Sequence, residues 1–196
     1  MRLSRSDDFG EWALLPVLLS RVQHDQKTRT ARVPILQSQR ESQMPTSDLD
    51  LAAAHRHFSA SCFNGVRELI DKPNRSPDED RLMVSMCYAS LFHWQQRPDC
   101  TPRSLSIGYW QLSRVYALLE QADKARQYGR LCLTHSQNED LFYLGYAHEA
   151  LARAEALAGN RAEAEQHLAT ARDLASQVTD QDERSLLEAD LTTVSI

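Results

Sequence analysis

The sequence predicts an all-α fold in which about seven helices stack as antiparallel hairpins. Residues that favour helices (Ala, Leu, Arg, Glu and Gln) are abundant, whereas the 196 residues include only 6 Gly and 7 Pro. Apolar residues recur at steps of three and four, and the long alternating Val, Ile and Thr runs that build a sheet are missing. The hydrophobic content of 42% and the charged content of 25% are those of a globular domain.

The chain divides at about residue 47. Residues 1–47 contain three prolines, many Ser, Gln and Arg, and no sustained helical pattern, so we expect a flexible or disordered N-terminal tail. Met44 offers an alternative, because it directly precedes a helix start and the native protein would then begin there. Segment 1–47 holds 7 basic and 5 acidic residues, which leaves 15 basic and 22 acidic residues in the predicted helical domain, 48–196. An acidic domain without a basic stripe argues against nucleic acid as a partner.

The first two predicted helices are separated by the sequence KPNRSP. The first helix covers about 48–71 and carries apolar residues at helical steps. Ser76 and Glu79 then form a capping-box pattern, with Pro77 at the first helical position. The run that follows, 82–94 (LMVSMCYASLFHW), is apolar on every side. We therefore expect a central helix that is buried all round.

Five further helices follow. Thr101 and Pro102 repeat the arrangement of a cap followed by proline and open the third helix, and the fourth helix ends near residue 135. A second capping-box pattern at 136–139 opens the fifth helix, Gly159 separates it from the sixth, and the last helix covers about 181–194. Connections of two to six residues join antiparallel neighbours, so the helices form hairpins.

Two of these hairpins can be aligned with an offset of 39 residues. The third and fourth helices carry, at fixed spacing, Tyr109, Leu112, Ser113, Tyr116, Ala125 and Cys132. The corresponding positions of the fifth and sixth helices hold His148, Leu151, Ala152, Glu155, Ala164 and Ala171. Over about residues 105–176 this pattern resembles the tetratricopeptide repeat (TPR), whose usual period is 34 residues. The resemblance implies a TPR-like α-solenoid of stacked hairpins that binds a protein or peptide segment.

In tetratricopeptide-repeat proteins the first helix of each hairpin lines a concave groove that holds a peptide or partner segment. By position, the groove residues implied in this chain are Trp110, Arg114, Glu149 and Arg153. The two arginines occupy equivalent positions, where their guanidinium groups could bind a carboxylate or an acidic peptide beside the indole. In the alternative interpretation, both arginines are solvated or pair with Glu120, Glu149 or Glu155.

His93 is a polar residue inside the apolar run, between Phe92 and Trp94. We expect it to be a buried histidine that donates to a carbonyl or carboxylate and has no further role. The alternative is a small-molecule pocket, in a sensor or an enzyme, around His93 and Trp94. The sequence contains no nucleophile motif, phosphate-binding loop or metal-ligand spacing, so we expect no enzymatic activity, no cofactor and no metal.

The four cysteines are scattered and predict free thiols in a reducing cytoplasm: Cys62, Cys87, Cys100 and Cys132. No segment is long and apolar enough to cross a membrane, so we expect no membrane partner. Short helical arrays leave an apolar end, which makes a homodimer a further hypothesis. The expected function is that of a cytoplasmic, protein- or peptide-binding adaptor. A sensor or enzyme and a purely structural or oligomerising helical domain are the alternatives.

Overall fold

The structure, a computed structural model, describes residues 50–196. Within this part of the chain it contains seven helices and no strand, which confirms the predicted all-α fold. The helices are α1 (Leu51–Ile70), α2 (Pro77–Gln95), α3 (Pro102–Leu118), α4 (Ala122–Ser136), α5 (Leu141–Leu157), α6 (Arg161–Gln177) and α7 (Gln181–Thr192). The predicted tail, 1–47, and the alternative start at Met44 lie outside the described residues. Among the seven helices, none combines the length and apolarity needed to span a bilayer.

Local hydrogen bonds explain where α2 and α3 begin. The Glu79 N–H donates to Ser76 Oγ at 3.3 Å, and the Ser76 N–H donates to Glu79 Oε2 at 2.9 Å, so the predicted capping box is present. The Ser104 N–H donates to Thr101 Oγ1 at 3.2 Å in the same way. A proline follows each cap, where its missing N–H costs no hydrogen bond because the first turn has no intrahelical acceptor.

The start of α5 differs from the prediction. Ser136 is the last residue of α4, and its buried hydroxyl lies 2.6 Å from Ser106 Oγ, so it does not cap the next helix. Helix α5 begins after Asp140, whose side chain makes no capping hydrogen bond. The connection that follows α5 agrees with the prediction, because Gly159 adopts a φ of +77°, a left-handed conformation that favours glycine.

Each helix packs against the next one along the chain, and α5 also packs against α3 and α7. One apolar core lies mainly between α1, α2 and α3 and includes the buried residues Val66, Met83, Leu112 and Val115. A second core joins α5, α6 and α7 through Phe142, Tyr143, Leu168, Leu187 and Leu191. Complete burial of such a side chain contributes about 1.5–3 kcal/mol. The second core therefore holds α7 firmly against the helix that carries Glu149 and Arg153.

Helix α2 is buried on one side only, so the prediction that residues 82–94 are buried all round was wrong. Met83 and Cys87 are buried, as expected for a core helix. By contrast, Leu82 and Phe92 are 51% and 53% exposed. Helix α2 packs against α1 and α3, and these neighbours cover only part of its circumference. Hydrophobic composition alone could not reveal which faces of an apolar helix find a neighbour.

Hairpin 2 (α3 and α4) and hairpin 3 (α5 and α6) have the same layout. Helices α3 and α5 are 17 residues long, and α5 and α6 each begin 39 residues after their counterparts. Inside hairpin 2, the buried Ser113 hydroxyl donates to the Ala125 carbonyl at 2.8 Å. Gly129 lets α4 approach α5, because a Cβ at this position would lie 2.9 Å from Leu151 Cδ2. Small residues thus allow close approach both within and between the hairpins.

Candidate functional site

Glu149 of α5 is the centre of a polar cluster between α3 and α5. Its side chain is only 1% exposed, and a carboxylate buried to this extent requires charged or hydrogen-bonding partners. Trp110 Nε1–H donates to Glu149 Oε2 at 3.0 Å, and Arg153 Nε–H, one turn along α5, donates to Glu149 Oε1. Arg114 Nη1 lies 3.7 Å from the same Oε1 atom. The four predicted groove residues therefore meet around one carboxylate, and we call them the Glu149 cluster.

Arg153 also connects the Glu149 cluster to α7. Its Nη2–H donates to the Asp190 carbonyl at 2.7 Å, and its Nη1–H donates to the Thr193 carbonyl at 3.1 Å. These carbonyls belong to the C-terminal end of α7, where a cation is favoured by the helix dipole. Most donors of the Arg153 guanidinium are therefore used inside the chain.

Tyr146 and Asp190 extend the cluster on its α7 side. The Tyr146 hydroxyl donates to Asp190 Oδ2 at 2.8 Å. The Tyr146 ring meets the Trp110 ring edge to face, with 5.4 Å between their centroids. Burial raises the pKa of Tyr146, and the Asp190 carboxylate raises it further. The phenol is therefore a neutral hydrogen-bond donor at physiological pH, and it holds the indole and the carboxylate in place.

Arg114 is the least satisfied cation of the cluster. Within residues 50–196 its side chain donates no hydrogen bond. Its 3.7 Å contact with Glu149 is longer than a hydrogen bond. Burial lowers the pKa of Arg114 and the Arg153 charge lowers it further, while Glu149 acts in the opposite direction. The Arg114 side chain is 19% exposed, so part of it is accessible from outside the chain.

The arrangement combines both sequence-based interpretations of the arginines. Arg114 and Arg153 each pair with Glu149, as the second interpretation expects, and they also converge at one place, which a shared binding site requires. Sequence reasoning missed Tyr146 and Asp190. Tyr146 lies three residues before Glu149 on the same face of α5, so helical spacing could have identified it. Asp190 reaches the cluster through the packing of α7, for which the sequence contains no local signal.

His93 and Trp94 lie at a separate place, near the end of α2. His93 Nδ1 is 2.8 Å from Nδ1 of His55 in α1, so its partner is a second imidazole. The prediction that His93 donates to a carbonyl or carboxylate was wrong. Burial lowers the pKa of His93, and His55 lowers it further. Trp94 is buried, and the Arg97 guanidinium carbon lies 3.7 Å from the Trp94 ring centroid. Two clefts on the described surface, on α4 and between α6 and α7, include neither residue, and the pocket at His93 stays a prediction.

The cysteines offer no activated nucleophile in the part of the chain that the structure describes. All four are free thiols. Burial raises the pKa of Cys87 to about 12 and that of Cys132 to about 11, so neither is a thiolate at neutral pH. Among residues 50–196, no group of three or more His, Cys, Asp or Glu side chains could hold a metal ion.

Comparison with known proteins finds no relative for this chain. No protein family, no curated protein and no solved structure matches it. A proposal for its function therefore rests on the geometry of its own residues.

Proposed function

We propose that residues 48–196 form a non-catalytic, tetratricopeptide-like adaptor domain that binds an acidic peptide or protein segment across α3 and α5. One observation carries this proposal: two arginines and a tryptophan converge on the buried carboxylate of Glu149. Arginine and tryptophan are the residues most enriched at the energetic centres of protein interfaces. The Glu149 cluster therefore has the composition of a recognition site.

The hydrogen bonds of the cluster favour an anionic partner at Arg114. A guanidinium has five N–H donors in a planar fork that matches a carboxylate. Arg153 spends its donors on Glu149 and on the end of α7, whereas Arg114 makes only the long ion pair within residues 50–196. A carboxylate from a partner would accept the bidentate hydrogen bonds that Arg114 lacks. Each hydrogen bond to a charged group contributes about 1.5–3 kcal/mol.

The order of the helices supports the tetratricopeptide-like part of the proposal. Hairpins 2 and 3 repeat with the same 39-residue spacing in both helices. Helix α3 packs against α5, so the first helices of hairpins 2 and 3 are neighbours, and α7 packs on the far side of α5. Adjacent first helices are the placement that a groove along a stack of hairpins requires.

Peptide selection with the full chain tests the proposal. Peptides that bind the wild type are selected from a random display library, and their affinities are measured by fluorescence polarisation for wild type, Arg114→Ala and Arg126→Ala. Arg126 is a matched control because its Nε lies 2.9 Å from Glu155 Oε1, but it belongs to α4 and not to the Glu149 cluster. Arg153 is unsuitable for this test, because its loss would also remove the contacts with α7.

We expect the selected peptides to be rich in Asp and Glu or to end in a required free carboxylate. Arg114→Ala should weaken their binding by about tenfold or more, whereas Arg126→Ala should leave it within about twofold. Circular dichroism of each variant checks that the helices are retained. Selection of peptides without acidic groups, or equal weakening by the two substitutions, would contradict the assignment of this site.

A further inference from the structure

His148 of α5 and His167 of α6 face each other across hairpin 3. Their Nδ1 atoms are 3.0 Å apart, and their ring centroids are 5.2 Å apart with 43° between the ring planes. Both side chains are partly exposed. A neutral imidazole carries its proton on one nitrogen only, so in this pair one Nδ1 donates and the other accepts. The accepting lone pair and the shared proton lie between the two helices.

The distance between these nitrogens is also that between two ligands of one transition-metal ion. Histidine nitrogens bind such an ion at about 2.0–2.1 Å, so two on neighbouring coordination positions lie roughly 2.9–3.4 Å apart. The observed separation of 3.0 Å falls in this range. A metal ion could therefore bind both Nδ1 atoms once the two rings rotate so that both lone pairs point at it, and the proton of the donating Nδ1 then moves to Nε2 of the same ring.

Hairpin 2 carries tyrosines at the positions that hold the two histidines in hairpin 3. Tyr109 and Tyr128, which precede His148 and His167 by 39 residues, stack with 6.3 Å between centroids and 17° between ring planes. Hairpin 3 thus places two imidazoles, which can bind a metal ion, where hairpin 2 places two stacked phenol rings. The difference is one of chemistry, since the two hairpins have the same helix register.

The second close histidine pair lies in a less suitable environment. The rings of Phe58 and Phe92 each have their centroid 5.3 Å from that of His93, and Phe92 also lies 6.2 Å from His55. These rings crowd the positions that further ligands or water would need. Within residues 50–196, no third ring packs against the pair on hairpin 3.

We propose that His148 and His167 form a bidentate site for a borderline divalent metal ion of the nickel, copper and zinc class. Both Nδ1 atoms are the protein ligands, and water completes the coordination shell. Imidazole suits this class of ion, whereas magnesium and calcium prefer oxygen ligands. The bound ion would link α5 to α6 directly.

Titration of the untagged full chain with Ni²⁺ tests this proposal. Ni²⁺ is the appropriate probe because it favours imidazole, whereas Zn²⁺ would also bind the free thiols. We expect saturable binding of about one ion per chain in calorimetry and a melting temperature that rises with Ni²⁺ concentration. His148→Gln and His167→Gln should each weaken binding about tenfold or more, because a single imidazole does not chelate. His55→Gln should leave the affinity unchanged.

A double variant distinguishes loss of the metal site from loss of the fold. His148→Tyr combined with His167→Tyr installs the residues that hairpin 2 carries at these positions, so it should keep the helical circular dichroism signal and lose Ni²⁺ binding. The proposal is overturned if the wild type shows no saturable binding up to about 1 mM Ni²⁺. It is equally overturned if the folded double-tyrosine variant binds as the wild type does, or if His55→Gln abolishes binding.

Discussion

Hairpins 2 and 3 share their helix register but differ in chemistry at equivalent positions. Trp110 of α3 corresponds to Glu149 of α5, and these two side chains hydrogen-bond to each other at 3.0 Å. Tyr116 belongs to the apolar core, whereas its counterpart Glu155, also buried, pairs with Arg126. An aromatic residue and a carboxylate thus occupy the same place in two hairpins of the same layout. The shape of the hairpin therefore does not depend on these side chains.

Among the positions that stay alike are the small ones at the helix crossings. Ser113 and its counterpart Ala152 are buried, as are Ala125 and Ala164. The distance between packed helices depends on the side chains at their contact, so small residues at these places preserve the hairpin geometry. Other positions can then differ, as Trp110 and Glu149 of the cluster do and as the histidine pair on hairpin 3 does, whereas Arg114 and Arg153 are alike.

The largest effect that tests this comparison between hairpins 2 and 3 is expected at Glu149. Glu149→Leu removes the carboxylate between Arg114 and Arg153 and should lower the free energy of unfolding by about 4 kcal/mol, because it leaves largely buried cations without their counter-charge. At the equivalent position of hairpin 2, Trp110→Phe keeps most of the apolar area and removes one hydrogen bond to the carboxylate, with an expected loss of about 2 kcal/mol. Urea denaturation followed by circular dichroism measures both losses.

A third variant separates stranded charge from lost packing. Adding Arg114→Leu to Glu149→Leu should recover part of the stability, because it removes one of the cations that the first substitution strands. Equal losses for Glu149→Leu and Trp110→Phe would break the comparison, since the carboxylate would then matter no more than its indole donor.

A somewhat smaller effect is expected where α7 covers hairpin 3. Leu187 is fully buried in the second core, whereas Leu186, its neighbour on α7, is 47% exposed. Leu187→Ala should lower the free energy of unfolding by about 3 kcal/mol, because it removes buried methyl groups and leaves a cavity. Leu186→Ala, the matched control, should change it by less than about 0.5 kcal/mol. Equal stabilities of the two variants would mean that α7 does not pack on hairpin 3 in the way that hairpin 3 packs on hairpin 2.

Local signals in the sequence were sufficient for the helices and for some of their boundaries. The capping box at Ser76 and the left-handed Gly159 depend on a few neighbouring residues, which a single sequence displays. The pattern at 136–139 failed because the buried Ser136 hydroxyl bonds to a distant residue, Ser106, and cannot also cap α5. Long-range packing overrides a local signal in such cases.

The candidate site, too, could be predicted from the sequence only in part. The 39-residue offset placed Arg114 and Arg153 in equivalent positions, and the structure brings both to Glu149. No sequence spacing shows that Arg153 would bond to the carbonyls at the end of α7, since these residues are about forty positions apart. The two histidine pairs also escape sequence reasoning, because each pair joins two different helices.

The smallest expected effect concerns the first hairpin, α1 and α2, whose histidine pair holds the two helices together. Burial and His55 lower the pKa of His93, so the folded protein binds fewer protons than the unfolded chain, whose histidines titrate at about 6.5. Stability from this residue is therefore present above that pH and is lost as the pH falls through the lower, folded pKa.

Urea midpoints at about pH 7.5 and about pH 5.5 measure the loss. His93→Gln should show a smaller loss than the wild type, and His57→Gln, an exposed histidine on α1, should lose as much as the wild type. Because the histidines other than His57 and His93 are common to all three proteins, an unchanged pH dependence in His93→Gln would show that the contact between His55 and His93 does not couple protonation to folding.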